Sequence, residues 1–204
     1  LTFGETQIDL VEAHGETHDQ LFVWLPKEEV LFSGDNYYST FPNLYTVRGT
    51  SPRPVDQWIQ SLDKMRKRDP KLLLPSHTEP LEGKERIREV LTDYRDAIQW
   101  TRDHVVRGAN LGKELPELVR TAGLPEHLAK KPYLKEMYGQ SDWSVRAIYG
   151  NNLGWFDGRA EQLYVPVDVA AREIRMMGGV ELTAQVRQTA AEMLNLASDA
   201  AERL

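Results

Sequence analysis

The chain is predicted to be an α/β portion followed by an all-α portion. Three observations carry that prediction. Short apolar runs of strand length (Ile8–Val11, Leu21–Leu25, Val30–Phe32, Leu72–Leu74) are confined to the first 82 residues. Beyond them, apolar residues recur at helical spacing and the strand-like runs stop. The change falls at Leu81–Lys84, so residues 1–82 and 83–204 are read as separate domains.

Taken in order, the second and third strands are joined by Pro26-Lys27-Glu28-Glu29, a connection short enough to predict a hairpin. From Pro54 to Arg68 the residues Val55, Trp58, Ile59, Leu62 and Met65 mark one face of a helix. Pro54 suits the first turn of that helix, and Asp69-Pro70 ends it. In the second portion, Ile87, Val90, Leu91, Tyr94, Ile98 and Val105 define a long amphipathic helix, expected to close near Gly108. Helical pieces follow at Leu115–Thr121, Pro125–Ala129 and Asp142–Tyr149. Two more are expected, one from Pro166 to Gly178-Gly179 and one carrying Leu182, Val186, Ala190, Met193 and Ala197.

A net charge of −6 and a pI near 5.4 argue against nucleic-acid binding. The basic run Lys64–Arg68 lies at a helix C-terminus, where cations offset the helix dipole, and reads as a solvated helix end. No apolar run approaches the ~20 residues of a membrane span. The chain has no cysteine, so any metal must be held by His and carboxylates. Its opening, Leu1-Thr2-Phe3-Gly4-Glu5, has neither an initiator Met nor a signal segment and reads as the interior of a longer chain.

Three polar clusters follow predicted strands: His14-Gly15-Glu16-Thr17-His18-Asp19, Ser33-Gly34-Asp35-Asn36 and Pro75-Ser76-His77-Thr78. Each alone is ordinary loop chemistry. Together, in order and at strand ends, they offer carboxylates and imidazole of the kind that bind zinc, manganese or iron.

A Gly-Asp after a hairpin strand, then a helix, a strand and a His, resembles the second half of a metallo-β-lactamase fold. Glu16, at a position where most members carry His, is similar to the zinc-dependent alkyl sulfatases, as is an Asn after the bridging carboxylate. Asn43-Leu44-Tyr45-Thr46-Val47-Arg48-Gly49 resembles a segment of those enzymes, and Leu153–Gly158 with Met177-Gly178-Gly179 resembles their helical dimerisation region. The resemblance implies an αββα catalytic domain of which residues 1–82 are the C-terminal part, and a dimerisation domain over 83–204. It implies metal binding by Glu16, bridging of two zinc ions by Asp35, binding of the second by His77, and sulfate binding by Arg48 and Arg53. Asp35 is one methylene shorter than the Glu usual at its position, and His14 and His18 have no assigned counterpart.

The implied activity is hydrolysis of alkyl sulfates to alcohol and sulfate by a metal-activated water. The alternatives are hydrolysis of another ester, thioester or phosphoester, or a non-catalytic dimerisation fragment. The family's His-x-His-x-Asp-His loop is not in the sequence. A missing N-terminal half, a homodimer and an alkyl sulfate substrate are therefore the expected partners. The chain alone is expected to be inactive and to bind zinc poorly.

Overall fold

Strands β3 (Asp9–Glu12), β4 (Leu21–Leu25), β5 (Val30–Gly34), β6 (Leu72–Pro75) and β7 (Leu81–Glu82) form one sheet in that spatial order. A separate hairpin, β1 (Thr2–Phe3) with β2 (Thr6–Gln7), precedes it. The computed structural model describes residues 1–154 apart from residue 48, together with residue 156. The helices expected from Pro166 onward lie outside the described residues, as does all of Met177-Gly178-Gly179.

The expected hairpin is present: β4 and β5 are antiparallel, with Leu25 opposite Val30. β5 and β6 are parallel, and parallel neighbours need a crossover, which helix α1 (Val55–Arg68) supplies. The strands β1, β2 and β7, of 2 residues each, carry too little periodicity to be read from sequence.

Alternation sorts the sheet into two faces. Phe22, Trp24, Leu31 and Leu73 point inward and are buried with Trp58, Leu62 and Met65 of α1. The opposite face carries an apolar row running across four strands, Leu10 beside Val23, Val23 beside Phe32 and Phe32 beside Leu74. On that face Leu10 is 53%, Leu21 43% and Phe32 40% exposed.

α1 begins one residue past Pro54, which is its N-cap. It stops where Asp69 turns left-handed and Pro70 blocks continuation. Helix α2 (Lys84–Asn110) buries Ile87, Leu91, Tyr94 and Ile98 in the core shared with the sheet and α1. It ends at Asn110, near Gly108 as expected; Gly108 itself lies inside the helix, where a side chain would overlap Leu118, and Gly112, at φ +74°, makes the terminating turn. Lys113 N–H then bonds Gly108 O at 3.0 Å.

Helices α3 (Leu115–Arg120), α4 (Glu126–Ala129) and α5 (Ser141–Leu153) follow, with a 3-10 turn at Pro132–Leu134. Residues Leu1–Trp155 form one compact unit, and the expected domain boundary at 82/83 falls within it at the start of α2. Among the described residues no helix is long and apolar enough to cross a membrane.

Candidate metal and anion site

The strand directions bring the three polar clusters together. β3 is antiparallel to β4, β4 to β5, and β5 is parallel to β6, so β3, β5 and β6 all run the same way. The loops after these strands therefore emerge at one edge of the sheet, where ligand sites form in open α/β sheets.

Asn36 fastens these loops to one another. It is fully buried; its Nδ2 donates to Ala13 O at 2.5 Å and its Oδ1 accepts the Glu16 N–H at 3.0 Å. Its carbonyl accepts Trp58 Nε1 at 3.0 Å, tying the site to α1. Gly15 is required by the same contact, because a Cβ there would overlap the Asn36 amide and the Trp58 ring.

Glu16, Asp35, His77 and Arg53 line one cleft of about 700 Å³, with His18, Asp19, Tyr45 and Tyr138. His77 Nδ1 lies 2.7 Å from Asp35 Oδ1. A carboxylate oxygen accepts, so Nδ1 is the donor in this contact. His77 is 73% exposed and Asp35 30%.

Glu16 has a different partner. Arg53 Nη1 approaches Glu16 Oε1 at 2.9 Å and also donates to the Glu16 carbonyl. Burial pulls the Arg53 guanidinium below its ordinary value, with Tyr138 and Tyr94 opposing. Among the described residues, no three His, Asp or Glu side chains gather as a metal-holding cluster.

The remaining expected residues separate. His18 Nε2 donates to Pro52 O at 2.9 Å, joining the first loop to the segment before α1. His14 faces away, with Nε2 3.0 Å from Glu12 Oε1. Thr17 Oγ1 donates to Asp19 Oδ1 at 2.6 Å and holds that carboxyl below its ordinary range. Arg48 lies outside the described residues. On either side of it, Asn43 Oδ1 accepts the Tyr45 N–H at 3.2 Å, and Thr46 Oγ1 donates to Thr50 O at 3.2 Å.

Tyr138 was not legible in the sequence. It comes from the helical portion and reaches the cleft because residues 135–139 are laced to residues 40–45. Phe41 N–H bonds Lys135 O at 2.9 Å, Thr40 Oγ1 bonds the same oxygen at 2.6 Å, and Tyr45 Oη bonds Tyr138 O at 3.3 Å. Tyr138 also meets Tyr38 edge to face at 5.6 Å, and Tyr45 meets Trp143 at 5.4 Å. No local pattern marks these long-range contacts.

Residues 2–77 match the family described as the metallo-beta-lactamase superfamily, and residues 114–201 match alkyl sulfatase dimerisation. A linear primary-alkylsulfatase of Pseudomonas sp. (strain ATCC 19151) is 39% identical over 182 residues, 87% of this chain and 34% of that protein. The alkyl/aryl-sulfatase BDS1 of Saccharomyces cerevisiae is 28% identical over 173 residues, 81% of this chain and 26% of that protein. Among solved structures, the stereoselective inverting sec-alkylsulfatase Pisa1 from Pseudomonas sp. superposes with a TM-score of 0.80 at 27% identity, covering 96% of this chain and 32% of that one. The chain thus spans about a third or less of the length of these relatives.

Proposed function

The chain belongs to the alkylsulfatase lineage of the metallo-β-lactamase superfamily, and from that premise we propose that its parent protein hydrolyses alkyl sulfate esters to alcohol and sulfate with the help of bound zinc. The observation that carries this reading is the cleft that unites Glu16, Asp35 and His77 at the ends of three co-directional strands.

The donor chemistry fits a metal. The set is oxygen and imidazole nitrogen without thiolate, and Asp35 and His77 already lie side by side. The number fits only part of a site, since a catalytic zinc takes about three protein ligands. In this reading Glu16, Asp35 and His77 would each give a donor to metal, and the Asp35–His77 contact would open to admit it. Zinc so bound would activate water and offset the charge that develops on the sulfate.

The chain's own residues supply orientation. Arg48 holds the sulfate, whose oxygens suit the paired donors of a guanidinium. Tyr45 and Tyr138 give the cleft an apolar wall against which the alkyl chain packs. Asn36 keeps Glu16 and the loop after β5 in fixed relation.

The remaining ligands belong to an N-terminal segment of the parent protein in this proposal. The apolar row Leu10, Val23, Phe32 and Leu74, exposed at Leu10 and Phe32, supports it, because contiguous apolar surface of this kind marks an interface. The parent protein is read as a homodimer through the region that matches alkyl sulfatase dimerisation. The functional domains are taken as residues 1–82 and 83–204.

The test is sulfate released from dodecyl sulfate by the parent protein, with and without a chelator. Release that stops with chelator and returns with zinc is the expected result. A folded, zinc-loaded protein that releases none would move the substrate to another ester class.

A further inference from the structure

The stretch that matches alkyl sulfatase dimerisation also sends one side chain into the cleft, that of Tyr138. We propose that Tyr138 is a further substrate-binding residue, whose hydroxyl donates to a sulfate oxygen beside Arg53 while its ring faces the alkyl chain; this rests on the reading of the cleft as an alkyl sulfate site.

The backbone around Tyr138 is fixed. Met137 N–H donates to Thr40 Oγ1 at 3.3 Å and Gly139 N–H to Phe41 O at 3.2 Å, so both sequence neighbours are tied to the segment after β5. Gly139 is required by this approach, because a Cβ there would lie 2.1 Å from Pro42 O and 2.7 Å from Phe41 O. The Tyr138 ring bears edge to face on Tyr38 at 5.6 Å. Tyr38 is itself buried, and its hydroxyl accepts the Asn43 N–H at 2.8 Å. Tyr138 therefore rests on a rigid neighbour, yet it is 47% exposed and faces the same cleft as Glu16, Asp35, Arg53 and His77.

The two tyrosines of the cleft differ in what their hydroxyls do. Tyr45 Oη donates to Tyr138 O at 3.3 Å. The Tyr138 hydroxyl lies against the Arg53 guanidinium. A guanidinium only donates, so the tyrosine oxygen is the acceptor there and its own proton is directed elsewhere. Accepting from a cation polarises the hydroxyl and makes it a better donor. Arg53 Nη1 also serves Glu16, at its carboxylate and its carbonyl. A sulfate ester spreads one negative charge over three terminal oxygens, more acceptors than one guanidinium edge fills. The Tyr138 hydroxyl supplies a neutral donor next to that cation, and the ring behind it supplies apolar surface for the carbon chain.

Calorimetry with inorganic sulfate on the zinc-loaded parent protein reads the hydroxyl without any turnover. Tyr138→Phe is expected to weaken sulfate by about tenfold, the scale of a lost hydrogen bond to an anion. The ring is read separately, as the ratio of kcat/KM on dodecyl sulfate to that on hexyl sulfate. Tyr138→Phe is expected to keep that ratio, since its ring and the contact with Tyr38 remain, and Tyr138→Ala to lower it. Sulfate affinity in the Phe variant within about twofold of wild type would overturn the assignment. A ratio changed by Tyr138→Phe would overturn it too, by making the hydroxyl a support for the wall and not a donor to the anion. A parent protein that hydrolyses no alkyl sulfate, but loses sulfate affinity with Tyr138→Phe, would keep Tyr138 as an anion donor and discard the substrate. A wild-type parent that binds no sulfate would overturn both.

Discussion

Gly15 has no room for a side chain, since a methyl group would strike the Asn36 amide that receives the Glu16 N–H. Gly15→Ala should therefore do more than crowd the loop; it should release Glu16 from one of its three holds. Overpacking costs about 1–3 kcal/mol, and a loss of that size in urea unfolding is expected, with no change in the slope that reports exposed surface. A fully tolerated alanine would mean that the Asn36 contact is dispensable. The acidic and imidazole residues of the cleft were legible from the sequence because carboxylates and histidines cluster after apolar runs. The partners were not: Glu16 meets Arg53 across 37 residues, and only packing decides which cation faces which acid.

At the scale of elements, α2 shows both how periodicity succeeds and where it stops. The buried positions Ile87, Val90, Leu91, Tyr94, Ile98 and Val105 are those the spacing predicts. Which glycine makes the terminating turn was not legible, because Gly108 and Gly112 look alike in sequence. One is small to admit Leu118 and the other has positive φ, and the difference appears only when α3 is in place. The same helix carries Tyr94 into an aromatic group, edge to face with Tyr37 at 5.1 Å and Tyr38 at 6.1 Å. Burial raises all three hydroxyls above their ordinary value of 10.0. A raised pKa means that the folded state holds its proton more tightly. The stability it contributes is complete below pH 10.0 and is lost as pH rises through the raised values. Urea unfolding between about pH 9 and 11 should thus show falling stability, and Tyr94→Phe should flatten the fall. An unchanged slope in that variant would place the alkaline sensitivity elsewhere.

For the molecule as a whole, the sheet presents one buried face and one apolar face that is still open to solvent at Leu10, Leu21 and Phe32. The isolated chain is expected to bind an apolar dye, and Leu10→Lys with Phe32→Lys is expected to abolish that binding without loss of far-UV circular dichroism. Absent dye binding by the wild-type chain would show that the face is covered. In the parent protein the same pair of lysines should impair folding, since a buried unpaired charge is costly. By itself, the sequence determined the four longer strands, α1 and α2 in their order, the β4–β5 hairpin and the three polar loops at strand ends, because apolar periodicity and turn residues are local properties. It also carried the family, through the words around Asn43–Gly49. Only the tertiary structure decided that Arg53 turns to Glu16, that Asp35 pairs with His77, and that Tyr138 of the helical portion lines the cleft. Those contacts join residues 37, 42 and 93 positions apart. They form because the sheet and helices share one close-packed core, and close packing at long range leaves no periodic trace along the chain.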